Sequence, residues 1–178
     1  MAENFRILKG LPAYGDLYVS IPQNGYKEFS EGFVIEFLAQ NGHWVGNFQL
    51  GSSNLKFVAQ LDENEMLVIA DGTVYLVDVN SKRELLHFGF HYDQVLQYDR
   101  FFILVDDYSI DIVKNSSEIK RFKDLSLDGI SGVKIQKRKL TGISHDFDGY
   151  GKSCENQFSI DLETFEFKKH KPKWWRFW

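Results

Sequence analysis

The sequence predicts a nearly all-β protein of about four repeated antiparallel strand units, a small or incomplete β-propeller-like architecture with a β-sandwich or barrel as the alternative. Three observations lead there. Aromatic residues make up 16% of the chain, as 16 Phe, 8 Tyr and 4 Trp, whereas alanine stands only at positions 2, 13, 39, 59 and 70. Aromatic and β-branched side chains suit a half-buried pleated surface, and alanine is the strongest helix former. Short apolar runs alternate with turn residues along most of the chain. A segment of the middle then recurs further on.

The predicted strands follow in order: Asp16–Ile21, Gly32–Leu38, Trp44–Leu50, Lys56–Leu61, Glu65–Ala70, Thr73–Val79 and Glu84–Phe88. Then come Gln94–Tyr98, Phe101–Val105, Ser109–Val113, Ile119–Phe122, Gly132–Lys137, Leu140–Ser144, Gln157–Leu162 and Thr164–Lys168. Turn residues separate them: Gln23-Asn24-Gly25, Asn41-Gly42, Asp62–Asn64, Asp71-Gly72, Asn80-Ser81, Asp106-Asp107, Asn115–Ser117 and Asp128-Gly129. The Asp-Gly pair at 71–72 is the strongest hairpin signal, because glycine accepts the positive φ such turns require. Segment Tyr26–Leu38 comes nearest to a helical period, but Gly32 and the β-branched residues after it oppose a helix.

MLVIADGTVYLVDVNSKRELLHF from Met66 aligns without gaps on FILVDDYSIDIVKNSSEIKRF from Phe102, placing Asp71 on Asp107 and Val77 on Val113. VIEFLAQNGHWVGNF from Val34 aligns on VYLVDVNSKRELLHF from Val74, and Ile160-Asp161-Leu162 echoes Val77-Asp78-Val79. A unit of about 36–45 residues with three or four short strands is the size of a propeller blade. Each such sheet has two apolar faces, and stacking sheets buries them.

A chain of 178 residues suffices for one domain with a sizeable core. The expected division is a single all-β domain over 1–167 and a basic aromatic tail over 168–178 packed on it. The net charge of −4 is composed of +5 on residues 168–178 and −9 on residues 1–167. An acidic body repels phosphate backbones and favours basic partners, which speaks against direct nucleic-acid binding. The lone cysteine, Cys154, excludes an internal disulfide framework and a thiolate zinc cluster. The first residues lack a signal-peptide pattern and no apolar run is long enough to span a bilayer, so the expectation is a cytoplasmic protein without membrane contact.

No motif for chemistry emerges. His87 and His91 would share a metal on a helix, but on a strand they stand ~13 Å apart. His145–Gln157 begins like a calcium loop, with Asp146, Asp148 and Gly151, yet Tyr150 and Gln157 occupy ligand positions. Cys154 and His145 invite comparison with a thiol–imidazole pair, though nothing orients them. Phosphate-binding glycine loops and the nucleophile elbow are absent from the sequence. The expectation is therefore no catalytic residue, no metal and no cofactor. The aromatic richness also admits a carbohydrate- or small-ligand-binding domain, and a non-catalytic scaffold is a further reading. The tail could cap a sheet edge with Trp174, Trp175, Phe177 and Trp178, stack on bases or lie on a membrane.

The succession FILVDDYSIDI at 102–112, LSLDGI at 125–130, TGISHDFD at 141–148 and FSIDLET at 158–164 resembles small bacterial proteins of propeller-like β architecture. Such proteins occur among the immunity proteins of polymorphic-toxin and contact-dependent growth inhibition systems. The resemblance covers about residues 100–168. It implies a non-enzyme that binds a cognate toxin domain, for example a basic nuclease, and occludes its active site. Opposite charge would speed that encounter. The residues expected to touch the partner are the loop carboxylates and a neighbouring aromatic: Asp62, Glu63, Glu65, Asp106, Asp107, Asp146, Asp148 and Tyr150.

Overall fold

The computed structural model describes residues 4–13, 18–23, 30–39 and 42–170. They form sixteen strands in four four-stranded sheets and no helix. Among them no helix is long and apolar enough to cross a membrane. The fold is all-β, as the sequence predicts. The chain divides into two compact units, one within Met1–Asp93 with Lys114–Ile119, the other within Gln94–Val113 with Lys120–Trp178.

The first unit holds two sheets. One is built from β1 (Phe5–Ile7), β2 (Tyr18–Ile21), β3 (Phe33–Ala39) and β4 (Gly42–Phe48), in the order β1-β3-β4-β2. The other runs in sequence through β5 (Lys56–Gln60), β6 (Glu65–Ala70), β7 (Thr73–Asp78) and β8 (Arg83–Phe88). Phe33, Ile35 and Phe37 alternate inward from β3 and meet Met66, Val68 and Ala70 of β6 in one core. The period of two places all six on one face of their strands. Phe37 stacks on Trp44 at 4.6 Å, and Phe48 lies against Tyr75 at 5.4 Å. Both polar tips are satisfied: the Trp44 indole donates to the Val79 carbonyl and the Tyr75 hydroxyl to that of Gln49.

The second unit carries β9 (Gln94–Tyr98), β10 (Phe101–Val105), β11 (Ile110–Asn115) and β12 (Glu118–Phe122), ordered β12-β11-β10-β9. Its other sheet is β13 (Ile130–Gln136), β14 (Lys139–Phe147), β15 (Ser153–Asp161) and β16 (Phe167–His170), an antiparallel meander. Phe101, Ile103 and Val105 pack with Ile110, Ile112, Leu140, Phe158 and Ile160. The β11–β12 tip, Lys114–Ile119, groups with the first unit.

The offset-36 repeat is structural. It maps β6 onto β10 and β7 onto β11. The mapped carbonyls Gly72 and Tyr108 both accept a backbone bond from a later segment, from Tyr92 N–H in the first unit and Leu125 N–H in the second. The Asp71-Gly72 turn joins β6 to β7 with φ of 46° and 91°, as the hairpin signal required. The echo at Ile160-Asp161-Leu162 is also local chemistry. Asp78 Oδ1 caps the amides of Asn80 and Ser81, and Asp161 Oδ1 those of Glu163 and Thr164.

The remaining alignment behaves differently. It lays β3–β4 on β7–β8, but β3 and β4 are both central strands whereas β8 is an edge. The place beside β4 is filled by β2, which precedes it in the chain and pairs with it in parallel. The first sheet is thus not a simple copy of the others, and β1 carries too few residues to signal itself. Two further differences lie at the end of the chain. β14 and β15 continue through His145–Phe147 and Ser153–Asn156, which the sequence suggests as a long loop. Lys168, Lys169 and His170 of the expected tail belong to β16. Residues 171–178, with the tail tryptophans and Phe177, lie outside the described residues, as do Asp16, Asn24, Gly25, Tyr26 and Asn41.

Two strand glycines carry aromatic rings. A Cβ on Gly142 would lie 2.5 Å from Cζ of Phe158, and one on Gly46 would lie 2.7 Å from Cε2 of Phe48. Both rings are buried and cannot swing away. Gly142→Ala should therefore destabilise the protein by about 1–3 kcal/mol through overpacking. Urea unfolding measures this, and an unchanged midpoint would show that the core yields at this point.

Candidate functional site

At one end of the second unit the β10–β11 turn at 106–109 and the stretch 123–130 leading into β13 are tied to each other and to β14, whose end carries the β14–β15 loop at 148–152. Backbone bonds join the first two, from Leu125 N–H to the Tyr108 carbonyl at 3.0 Å and from Ile130 N–H to the Asp107 carbonyl at 2.8 Å. The stretch is tied to β14 by Asp128 N–H on the His145 carbonyl and His145 N–H on the Gly129 carbonyl, at 2.9 and 2.8 Å. β14 then runs directly into the loop.

Beneath these segments lies a buried polar cluster. The pairings Ser144–Asn156, Asp146–Cys154 and Phe158–Lys169 put all six residues on one face of the sheet. That face is apolar at Leu140, Phe158 and Ile160, and turns polar at Ser144, Asp146 and Asn156, which are also buried. The Asp146 carboxylate receives four groups. Lys169 Nζ stands at 2.6 Å, Asn156 Nδ2 at 2.9 Å, Ser144 Oγ at 3.0 Å and Leu127 N–H at 3.1 Å. Lys169 Nζ also donates to the Leu125 carbonyl at 3.0 Å. One ammonium thus joins the edge strand, the carboxylate and the connecting stretch. Burial raises the Asp146 pKa, but the bonds from Lys169, Asn156, Leu127 and Ser144 outweigh it and bring it down to about 2.

The eight expected contact residues distribute unevenly. Asp62, Glu63 and Glu65 belong to the first unit. Asp62 Oδ1 caps the amides of Asn64 and Glu65, and Glu63 is exposed. Glu65 opens β6 and holds Ser116 through both carboxylate oxygens, at 2.8 Å to its amide and 2.6 Å to its hydroxyl. The other five lie in the second unit. Asp106 is spent on its own turn, accepting from the amides of Tyr108 and Ser109 and the Ser109 hydroxyl. Asp107 is exposed. Asp148 caps the amides of Tyr150 and Lys152. Tyr150 projects with 93% of its surface exposed. Asp146 departs from the expectation: it is a buried strand residue holding the loops from below, not part of an exposed loop.

Sequence reasoning found Tyr150 but missed the other apolar members. Seven large hydrophobic side chains are exposed among the described residues, and Tyr108, Leu127, Phe147 and Tyr150 all fall on these three segments or at their border. The signal was legible in part: Tyr108, Leu127 and Phe147 each stand next to an aspartate in or beside a turn. Around them stand Asp106, Asp107, Asp124, Asp128 and Asp148 against Lys123 and Lys152. The surface is aromatic with an acidic border.

The chemical alternatives lose their geometry. His145 pairs across the sheet with Glu155 and Cys154 with Asp146, so imidazole and thiol lie on opposite faces. His145 bonds Ser131 through Nε2 at 2.7 Å. His87 contacts Glu84, and His91 bonds Ser52 at 2.8 Å. No cluster of metal-ligating side chains occurs among the described residues. Trp44 is buried in the core and presents no face to a sugar.

The Asp146 pair predicts both a mutational and a pH effect. Lys169→Met should cost about 1–2 kcal/mol, since it leaves a buried carboxylate without a cation that is itself partly exposed. The folded pKa of about 2 lies below the ordinary 3.8, so the stabilisation is complete well above pH 4 and is lost as pH falls toward 2. It amounts to about 2 kcal/mol, and Asp146→Asn should remove that part of the acid dependence. Urea titrations between pH 2 and 7 measure it. Equal acid sensitivity in the variant would show that other carboxylates carry the effect.

No protein-family model and no curated protein sequence matches this chain, so its function is read from its own geometry.

Proposed function

We propose that this chain is a protein-binding domain that contacts a basic partner through the loop end of its second unit. In its specific form it is an immunity protein that occludes the active site of a cognate bacterial toxin domain. The observation that carries the reading is the exposure of Tyr108, Leu127, Phe147 and Tyr150 on or beside the aspartate-rich turns and loops of the second unit. Exposed tyrosines with apolar neighbours are the side chains that supply most of the affinity in protein interfaces. A border of aspartates adds rate and partner choice more than affinity. Hydrogen bonds to the turns and the Asp146–Lys169 pair hold these side chains on a rigid base. That keeps the ordering cost of association low. The resemblance of residues 102–164 to immunity proteins agrees with a non-catalytic role.

The test is growth rescue. The C-terminal domain of the protein encoded immediately upstream is expressed in bacteria with and without this chain. Toxicity relieved by the chain is the expected result; toxicity despite soluble expression of the chain would refute that pairing. Tyr150→Ala combined with Leu127→Ala should weaken the complex by about 30-fold or more, the size of an interface hot spot, with no loss of thermal stability. Reversing Asp107 and Asp128 to lysine should slow association and flatten its salt dependence. Asp106 is unsuitable for reversal because it caps its own turn. An unchanged on-rate would remove the acidic border from the interface.

A further inference from the structure

The outer face of the β13–β16 sheet carries a groove of about 490 Å³. That volume lies within the range of small-molecule sites. The register fixes which side chains face it. Lys134, Thr141 and Ser159 form one row across the strands, Ile143, Gln157 and His170 the next, and Gln136 and Lys139 a third. All stand opposite the face that buries Leu140, Phe158 and Ile160. Lys134 and Lys139 are diagonal neighbours on β13 and β14.

Two features open this surface. The β13–β14 register shifts between Ser131 and Lys134, a β-bulge, and Gly132 within it has φ of 60° with nothing within 4 Å of a Cβ placed there. Bulges commonly re-aim side chains beside binding sites. Gly142, forced to be glycine by the Phe158 ring beneath, lies between Thr141 and Ile143 at the floor.

The lining holds two lysines and a histidine and no carboxylate, in a chain whose net charge is −4. The nearby acids are engaged elsewhere. Asp161, opposite Lys139 in register, gives Oδ1 to the amides of Glu163 and Thr164. Glu166 pairs with Lys168 at 3.1 Å, and Glu155 stands 3.6 Å from His145. Thr141, Gln157 and Ser159 add neutral groups that donate and accept. The lining has no exposed aromatic ring for a sugar face to stack on, since Phe158 is 2% exposed.

We infer that this groove binds a small phosphorylated polyol or sugar, with the phosphate between Lys134 and Lys139 and hydroxyls on Thr141, Gln157 and Ser159. The site is independent of the loop surface proposed above. Amide NMR titration of the full chain tests it, with glucose 6-phosphate, glucose and inorganic phosphate as probes. Saturable shifts at Thr141, Gln157, Ser159 and His170 with glucose 6-phosphate, absent with glucose, are expected. Lys134→Gln with Lys139→Gln should weaken that binding by about tenfold or more, with an unchanged melting temperature. No saturable shift at millimolar glucose 6-phosphate would overturn the proposal. So would equal binding of inorganic phosphate, or binding unaffected in the double variant.

Discussion

The second unit depends on one ion pair, between the buried Asp146 and the partly exposed Lys169. Asp146 sits where the inner face of its sheet changes from apolar to polar, and a carboxylate there is costly unless its oxygens are paired. Lys169 supplies the charge and Asn156, Ser144 and the Leu127 amide supply the remaining donors. The same ammonium reaches the Leu125 carbonyl, so a single side chain links the edge strand β16 to the 123–130 stretch. The segment that carries Leu127 is thereby held from beneath. The exposed aromatic surface is then a consequence of a satisfied polar base, with the hydrophobic effect at work further along the sheet.

The turns follow the same economy of short-range bonds. Asp62, Asp78, Asp106, Asp148 and Asp161 each direct an oxygen at amides two to four residues ahead. This is the backbone reason aspartate favours turns. A carboxylate so used keeps its negative field but gives up much of its capacity for new hydrogen bonds. The exposed Asp124 and Asp128 are better placed to meet a partner than Asp106.

Most strands were legible because they alternate apolar and polar residues or run apolar between turn residues. β6, β9 and β10 begin and end where the pattern predicts. Where the alternation is carried by polar residues it was silent. Ser144, Asp146, Asn156 and Lys169 mark an inner face as strictly as Leu140 and Phe158 do, but burial of a hydrogen-bonded polar group leaves no hydrophobic period. The β14–β15 extension therefore read as a loop and Asp146 as a surface residue. The first sheet was obscured for another reason: its strand order and the parallel pairing of β2 with β4, which bring Ile21, Phe33 and Phe48 into one core, are long-range features that leave no local pattern. The site was half visible. Its acids and Tyr150 were readable as turn residues; Tyr108, Leu127 and Phe147 required knowledge of which apolar residues stay outside.

The central claim is that the loop end of the second unit is a contact surface for another protein. Hydrogen exchange of the chain, free and bound to the partner with which it co-purifies, tests it most directly. Slowed exchange confined to 106–109, 124–130 and 147–152 is the predicted result. Slowed exchange elsewhere, with these three segments unchanged, would contradict it.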